Sequence, residues 1–199
     1  MAQKVRSNET FQPHSIQELR RWFEKNLDRE EGIWIILAKK NSGIETIRVD
    51  DLIDECLCFG WIDSLPNKID EKTYKLYISP RSPKSNWSLV NKEKVKRLEK
   101  EGRIHAKGKA MIQIAKKTGT WTALEGVDNL EIPSDLLKEL EKYKQAKANF
   151  LAFPKSVRRG ILEWIGNAKK EETRKNRISE TASLAEQNVR ANQYQKPNS

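Results

Sequence analysis

Between Cys58 and Asn91 the chain reads CFGWIDSLPNKIDEKTYKLYISPRSPKSNWSLVN. Trp61, Asp63 and Ser64 stand near one end, and Arg81, Lys84, Ser85, Asn86 and Trp87 near the other. Arg81 offers a planar fork of donors that matches a carboxylate or phosphate, and Lys84 adds a point charge. Ser82, Ser85, Asn86 and Ser88 add neutral donors. Trp61 and Trp87 can wall an apolar slot or stack on a ring. These residue types point to a cleft for a small anionic ligand, built from Trp61, Asp63, Ser64, Arg81, Lys84, Ser85, Asn86 and Trp87. A structural reading stands beside it: Asp63 pairs with Arg81, the tryptophans fill the core, and the serines satisfy an irregular loop.

Catalysis has less to stand on. The chain shows no Ser-His-Asp, Cys-His or H-E-x-x-H arrangement and no phosphate-cradling glycine pattern. Asp63, or failing that Asp70, is the candidate general base, for an enzyme acting on a small anionic substrate. Nothing in the spacing demands that role, and binding is the stronger expectation. The histidines, His14 and His105, lie far apart, and Cys56 and Cys58 are separated by one residue. Neighbours that close rarely meet disulfide geometry and are expected to be small buried hydrophobes. No metal and no cofactor is expected.

The two ends of the stretch meet only if the chain between them turns back. Trp61–Leu65 and Thr73–Ser79 read as strands, the second alternating Tyr74, Leu76 and Ile78 against Lys75 and Tyr77, so a hairpin is predicted. Pro80 and Pro83 stop regular pairing and leave Arg81–Asn86 as an irregular loop. Upstream, Ser15 caps a helix carrying Ile16, Leu19, Trp22, Phe23 and Leu27 on one face, with Glu18 as its capping-box partner. Ile33–Lys39 is a buried strand, and Ile44–Arg48 its expected hairpin partner. A helix follows from Asp50 or Asp51 and stops at Gly60. Downstream the period turns helical, with Asn91 as cap, a second helix over Ala106–Lys117 stopped by Gly119, a loop over 120–131, and four further helices. The last of these are expected over 135–143, 145–152, from Ser156 onward, and 171–187. The expected fold class is α+β: an N-terminal antiparallel sheet of about four strands with flanking helices, then an all-helical part. The expected domains are 1–90 (sheet) and 91–190 (helical), with residues 1–12 frayed and 191–199 a disordered tail.

Charge adds a second candidate interface. The 199 residues carry 38 Lys and Arg against 28 Asp and Glu, a net +10. Residues 1–74 hold 11 basic and 14 acidic side chains, residues 75–117 hold 13 and 3, and residues 118–199 hold 14 and 11. The middle segment therefore equals the whole excess. Helices 92–117 could lie along a nucleic-acid backbone, without base-reading residues and hence non-specifically. Lys exceeds Arg in residues 75–117, 10 to 3, which suits a solvated helix face as well. A third basic group, Arg158, Arg159, Lys169, Lys170, Arg174, Lys175 and Arg177, alternates with glutamates at three- and four-residue spacing and reads as surface support. No apolar run approaches the roughly 18 residues of a membrane span. The polar N-terminus predicts residence in the cytoplasm.

The strings CFGWIDS, SPRSPKSNWSLVNKEKV and FPKSVRRGILEWIGNAKKEETRKNRI resemble the bacterial YdeI/OmpD-associated family, also labelled bacteriocin-protection proteins. The three occur in order, and the resemblance runs from Trp22 to about Leu184. It implies a link to tolerance of antimicrobial peptides or to envelope stress. The family motif commonly has Pro ahead of Glu-Thr-Arg. Glu171 stands there in this chain, which predicts a helix running straight through.

Overall fold

The computed structural model describes residues 7–192. Four strands form one sheet in the order β1-β2-β4-β3. They are β1 (Thr10–Phe11), β2 (Ile33–Ala38), β3 (Trp61–Lys68) and β4 (Thr73–Pro80). β2 and β3 both pair antiparallel with β4, while β1 pairs parallel with β2. The β3–β4 hairpin forms as predicted, with Trp61 opposite Pro80 and a register shift between Asp63 and Pro66. Asp70 closes its turn, accepting the amides of Lys72 and Thr73 at 2.7 Å each. These amides hold its carboxyl below the usual range, and a carboxylate so committed is a turn former, not a base.

Two strand expectations are corrected. Ile44–Arg48 is not a strand. Both sides of β2 are taken, by β1 and β4, and the Ala38 amide donates instead to the Thr46 hydroxyl at 2.9 Å. The fourth strand is β1, in a stretch expected to be frayed, where the Trp34 amide donates to the Glu9 carbonyl at 3.0 Å.

Two helices precede the hairpin in sequence: α1 (Ile16–Lys25) and α2 (Val49–Phe59). Ser15 caps α1, its hydroxyl accepting the Glu18 amide at 3.1 Å. Glu18 reaches back to the His14 amide, one residue beyond the usual reciprocal partner. Gly60 ends α2 in the left-handed conformation, φ 74°, which glycine adopts without a Cβ penalty. Then come α3 (Leu89–Lys100) and α4 (Ala106–Thr118). The cap of α3 is Ser88, not Asn91: its hydroxyl accepts the Asn91 amide at 3.3 Å. Both helices bury their apolar stripes, Val95, Leu98, Ile112 and Ala115, in the same core as the sheet residues Ile33, Ile35, Leu37 and Ile78. The chain divides into two compact units after Ala123.

The second unit, from Leu124 onward, is helical: α5 (Glu125–Asp128), α6 (Ser134–Leu140), α7 (Ala146–Ala152), α8 (Lys155–Gly166) and α9 (Glu171–Glu186). Its own core gathers Leu136, Leu140, Phe150, Ile161, Leu162, Ile165 and Ala182. The helix predicted to run through Glu171 is broken over 167–170. Arg177 and Arg174 of α9 donate to the carbonyls of Trp164 (2.5 Å) and Ile165 (3.4 Å), so the freed C-terminal carbonyls of α8 are satisfied without proline. Of the expected tail, residues 193–199 lie outside the described residues, and Ala191 is buried in the second core. Residues 1–6 of the stretch expected to be frayed also lie outside them. No described helix is long and apolar enough to cross a membrane.

Candidate functional site

Arg81 follows directly on β4 and is 3% exposed. Its backbone amide donates to the Gly60 carbonyl at 3.0 Å, tying it to the end of α2. Its guanidinium lies 4.0 Å from the centre of the Trp87 ring, and Nη1 donates to the Asn86 carbonyl at 3.1 Å. The buried Nε has no partner. Burial drags the Arg81 pKa down to about 10, with Asp63 and Cys56 acting in the opposite sense. Asp63 is close enough to favour the charge, yet no ion pair within 4.0 Å joins the two among the described residues. The thiol of Cys56 is pushed well above its usual range by burial first, then by Asp63. It is packed apolar bulk, not a nucleophile.

The structure gathers only part of the predicted set. Arg81, Asn86 and Trp87 come together around the guanidinium, with half-buried Asp63 nearby. Ser85 is half-buried and donates its amide to the Ser82 carbonyl at 2.9 Å. Lys84 stays in solvent. Trp61 goes elsewhere: it is 4% exposed, with its ring 5.6 Å from Trp22 and 5.4 Å from Phe23. Ser64 is spent within the hairpin, donating to the Tyr77 carbonyl at 3.3 Å. Trp87 is 1% exposed and rests 5.1 Å from Trp121. Trp121, in the stretch expected to be a loop, is half-buried and carries the Lys116 ammonium 5.2 Å from its ring centre.

The charge split is partly met inside the chain. Glu55 of α2, 1% exposed, accepts from Arg20 Nη1 at 2.9 Å and Arg103 Nη2 at 2.6 Å. Its neighbour Asp54 accepts from Lys94 Nζ at 2.9 Å and from Arg97. Burial alone would raise the Asp54 carboxyl, but Lys94 and Arg97 outweigh it and hold it low. Lys107 pairs with Asp28 at 2.8 Å. Four basic residues of the segment 75–117, Lys94, Arg97, Arg103 and Lys107, thus pair with carboxylates of the first 74 residues. What stays exposed outside these pairs is a smaller set, Lys84, Lys96, Lys100, Lys109, Lys116 and Lys117.

In the second unit the basic residues do more than local support. Arg174 grips Asp135 with Nε at 2.7 Å and Nη2 at 3.0 Å. Arg159 joins Asp128 at 2.9 Å as well as Glu163 one turn on. Lys175 pairs with Glu171, as the spacing predicted. Among the described residues, no three His, Cys, Asp or Glu side chains gather as a metal site needs.

Two family models match the chain, one in each compact unit. The first, described as a domain of unknown function (DUF8412), matches residues 11–111, just over half the chain. The second, described as bacteriocin-protection, YdeI or OmpD-associated, matches residues 129–188. Two of the three resembling strings lie in the first match and FPKSVRRGILEWIGNAKKEETRKNRI in the second. No curated protein matches, and no solved structure does.

Proposed function

From the premise that this chain belongs to the DUF8412 family and carries a YdeI/OmpD-associated domain at residues 129–188, we propose that it is a binding protein whose first unit receives a small anion at Arg81. The observation that carries this reading is a buried guanidinium with, among the described residues, no carboxylate in ion-pair range and an unpartnered Nε. An uncompensated buried charge costs several kcal/mol, and a buried unpaired donor about 1–3 kcal/mol more. A carboxylate or phosphate seated on the fork relieves both. Trp87 fixes the plane of the fork from one side, and the loop with Lys84 and Ser85 supplies the exposed approach. Binding suits this site better than catalysis: Cys56 is packed in the core and Asp70 is spent in the hairpin turn, which leaves half-buried Asp63 as the remaining candidate base.

The test is a thermal-shift and calorimetric titration with inorganic phosphate, sulfate and dicarboxylates, none of which carries a ring. Saturable stabilisation is expected for the parent, weakened by Lys84→Ala and abolished by Arg81→Met. No shift with any of these anions, or one that Arg81→Met leaves intact, overturns the reading.

The family description supplies the physiological setting, protection against bacteriocins, and two free buried thiols (Cys56 and Cys58) suit a reducing cytoplasm. Expression of the chain in a bacteriocin-sensitive bacterium should raise the inhibitory concentration, and Arg81→Met should not. Equal protection by both separates the cellular role from the anion site.

A further inference from the structure

A cavity of about 320 Å³ opens beside α3 in the first unit. Lys92, Lys96, Lys116 and Trp121 line it, together with Glu93 and Glu99. A second cavity of about 400 Å³ shares Glu93 and Lys96 and is lined besides by Arg97, Lys100 and Glu101. The two adjoin along α3 through the shared Glu93 and Lys96, with the Trp121 ring at one end and charges of both signs along it. Each cavity falls within the size range of small-ligand pockets, roughly 300–1,000 Å³.

The lining narrows the ligand. Three ammonium groups are offset by two carboxylates in the first cavity, so a bare phosphate gains little there. A phosphate joined to a flat ring gains in addition the half-buried face of Trp121, near which the Lys116 ammonium rests, 5.2 Å from the ring centre. Trp121 is braced from behind by Trp87 at 5.1 Å, so its ring is held in place before a ligand arrives. A ring that stacks, a phosphate that meets Lys96 and Lys116, and a charged path leading to Lys100 make an aromatic platform set in a basic groove. We propose that this groove binds a nucleobase carrying its phosphate, with the base on Trp121 and the phosphate between Lys96 and Lys116. The groove's continuation toward Lys100 fits a single strand of more than one nucleotide.

The experiment is fluorescence polarisation of the full chain with a labelled ten-nucleotide oligothymidine at low salt, with Trp emission read in parallel. Binding is expected, with Trp quenching. Trp121→Leu should weaken it by roughly tenfold, the contribution of one stacked base. Lys96→Ala with Lys116→Ala should flatten the slope of log K against log salt by about 0.7, the contribution of the one phosphate they share on a single strand. Lys109→Ala with Lys117→Ala, exposed on α4 and outside the groove, should do neither. Inorganic phosphate should fail to compete and thymidine monophosphate should compete. If the monophosphate binds as tightly as the oligomer, the source of the nucleotide is a free metabolite and the ring-plus-phosphate chemistry stands. No binding at low salt, or equal losses from the groove and control lysine pairs with Trp121→Leu unchanged, overturns the proposal.

Discussion

The Arg81 guanidinium lies flat enough against Trp87 to bring its central carbon 4.0 Å from the ring centre, with both side chains almost fully buried. A cation on an indole face gains about 2 kcal/mol when desolvated, which does not match the several kcal/mol that desolvation costs. In the absence of ligand, Arg81→Met should therefore unfold in urea within about 1 kcal/mol of the parent, because the thioether chain fills the same volume with no charge to solvate. Arg81→Ala should lose about 2 kcal/mol through lost packing on Trp87. A large loss for Met as well would mean that the charge itself holds the unit together.

Asp54 should make the first unit acid-sensitive. Lys94 and Arg97 hold its carboxyl below the ordinary value despite burial, so the folded chain binds this proton less tightly than the unfolded chain. Its contribution is fully present above the unfolded carboxylate pKa, about 3.9, and is lost as pH falls through the lower folded value. Asp54→Asn should destabilise at pH 7 by about 3 kcal/mol, the loss typical of breaking a buried pair. The same variant should also show a shallower fall in stability between pH 4 and lower values. Urea midpoints measured across that window check both.

Two glycines in helices should respond in opposite directions to alanine. A Cβ on Gly108 of α4 would sit 2.2 Å from the Cys58 carbonyl oxygen and 2.9 Å from that of Leu57. Those are backbone atoms, so α4 must move off α2. Gly108→Ala should cost about 1–3 kcal/mol net, by overpacking, against a helix-propensity gain of about 1 kcal/mol. Nothing lies within 4 Å of a Cβ on Gly160 in α8, so Gly160→Ala should stabilise by about 0.5–1 kcal/mol. Thermal midpoints of the two variants decide it.

The two-pronged grip of Arg174 on Asp135 ties α9 to α6. Lysine keeps the charge but not the fork. Arg174→Lys should therefore cost about 1 kcal/mol and lower the unfolding of the second unit. Hydrogen exchange should show the loss in α6 and α9 and leave β2 and β4 unchanged.

The first unit shows why some of this was legible and some was not. Ser15, Gly60 and Gly119 act on backbone groups within four residues of themselves, so their positions on α1, α2 and α4 could be read directly. The β3–β4 hairpin was likewise local: alternation on either side of a turn set by Asp70. Ile44–Arg48 failed because its β-branched pattern says nothing about whether an edge is open. β1 was hidden because two residues carry no period, and only the exposed side of β2 makes Thr10–Phe11 a strand. At the site, Arg81, Asn86 and Trp87 were near in sequence and came together. Trp61 was assigned to the same cleft by composition, but a tryptophan goes to the largest apolar neighbourhood, here Trp22 and Phe23 of α1.

Charge gives the sharpest division. The sequence alone determined that an acidic first segment precedes a basic one, that both are amphipathic, and where most helices start and stop, since these depend on residue type and on neighbours a few positions away. Only the tertiary structure decided what the charges meet. Glu55 is neutralised by Arg20 and Arg103, 35 and 48 residues away, and Asp54 by Lys94 and Arg97, 40 and 43 away. Arg81 is left without such a partner. A buried charge is compensated or stranded by whichever group packing places within a few ångströms, and that distance is a property of the fold.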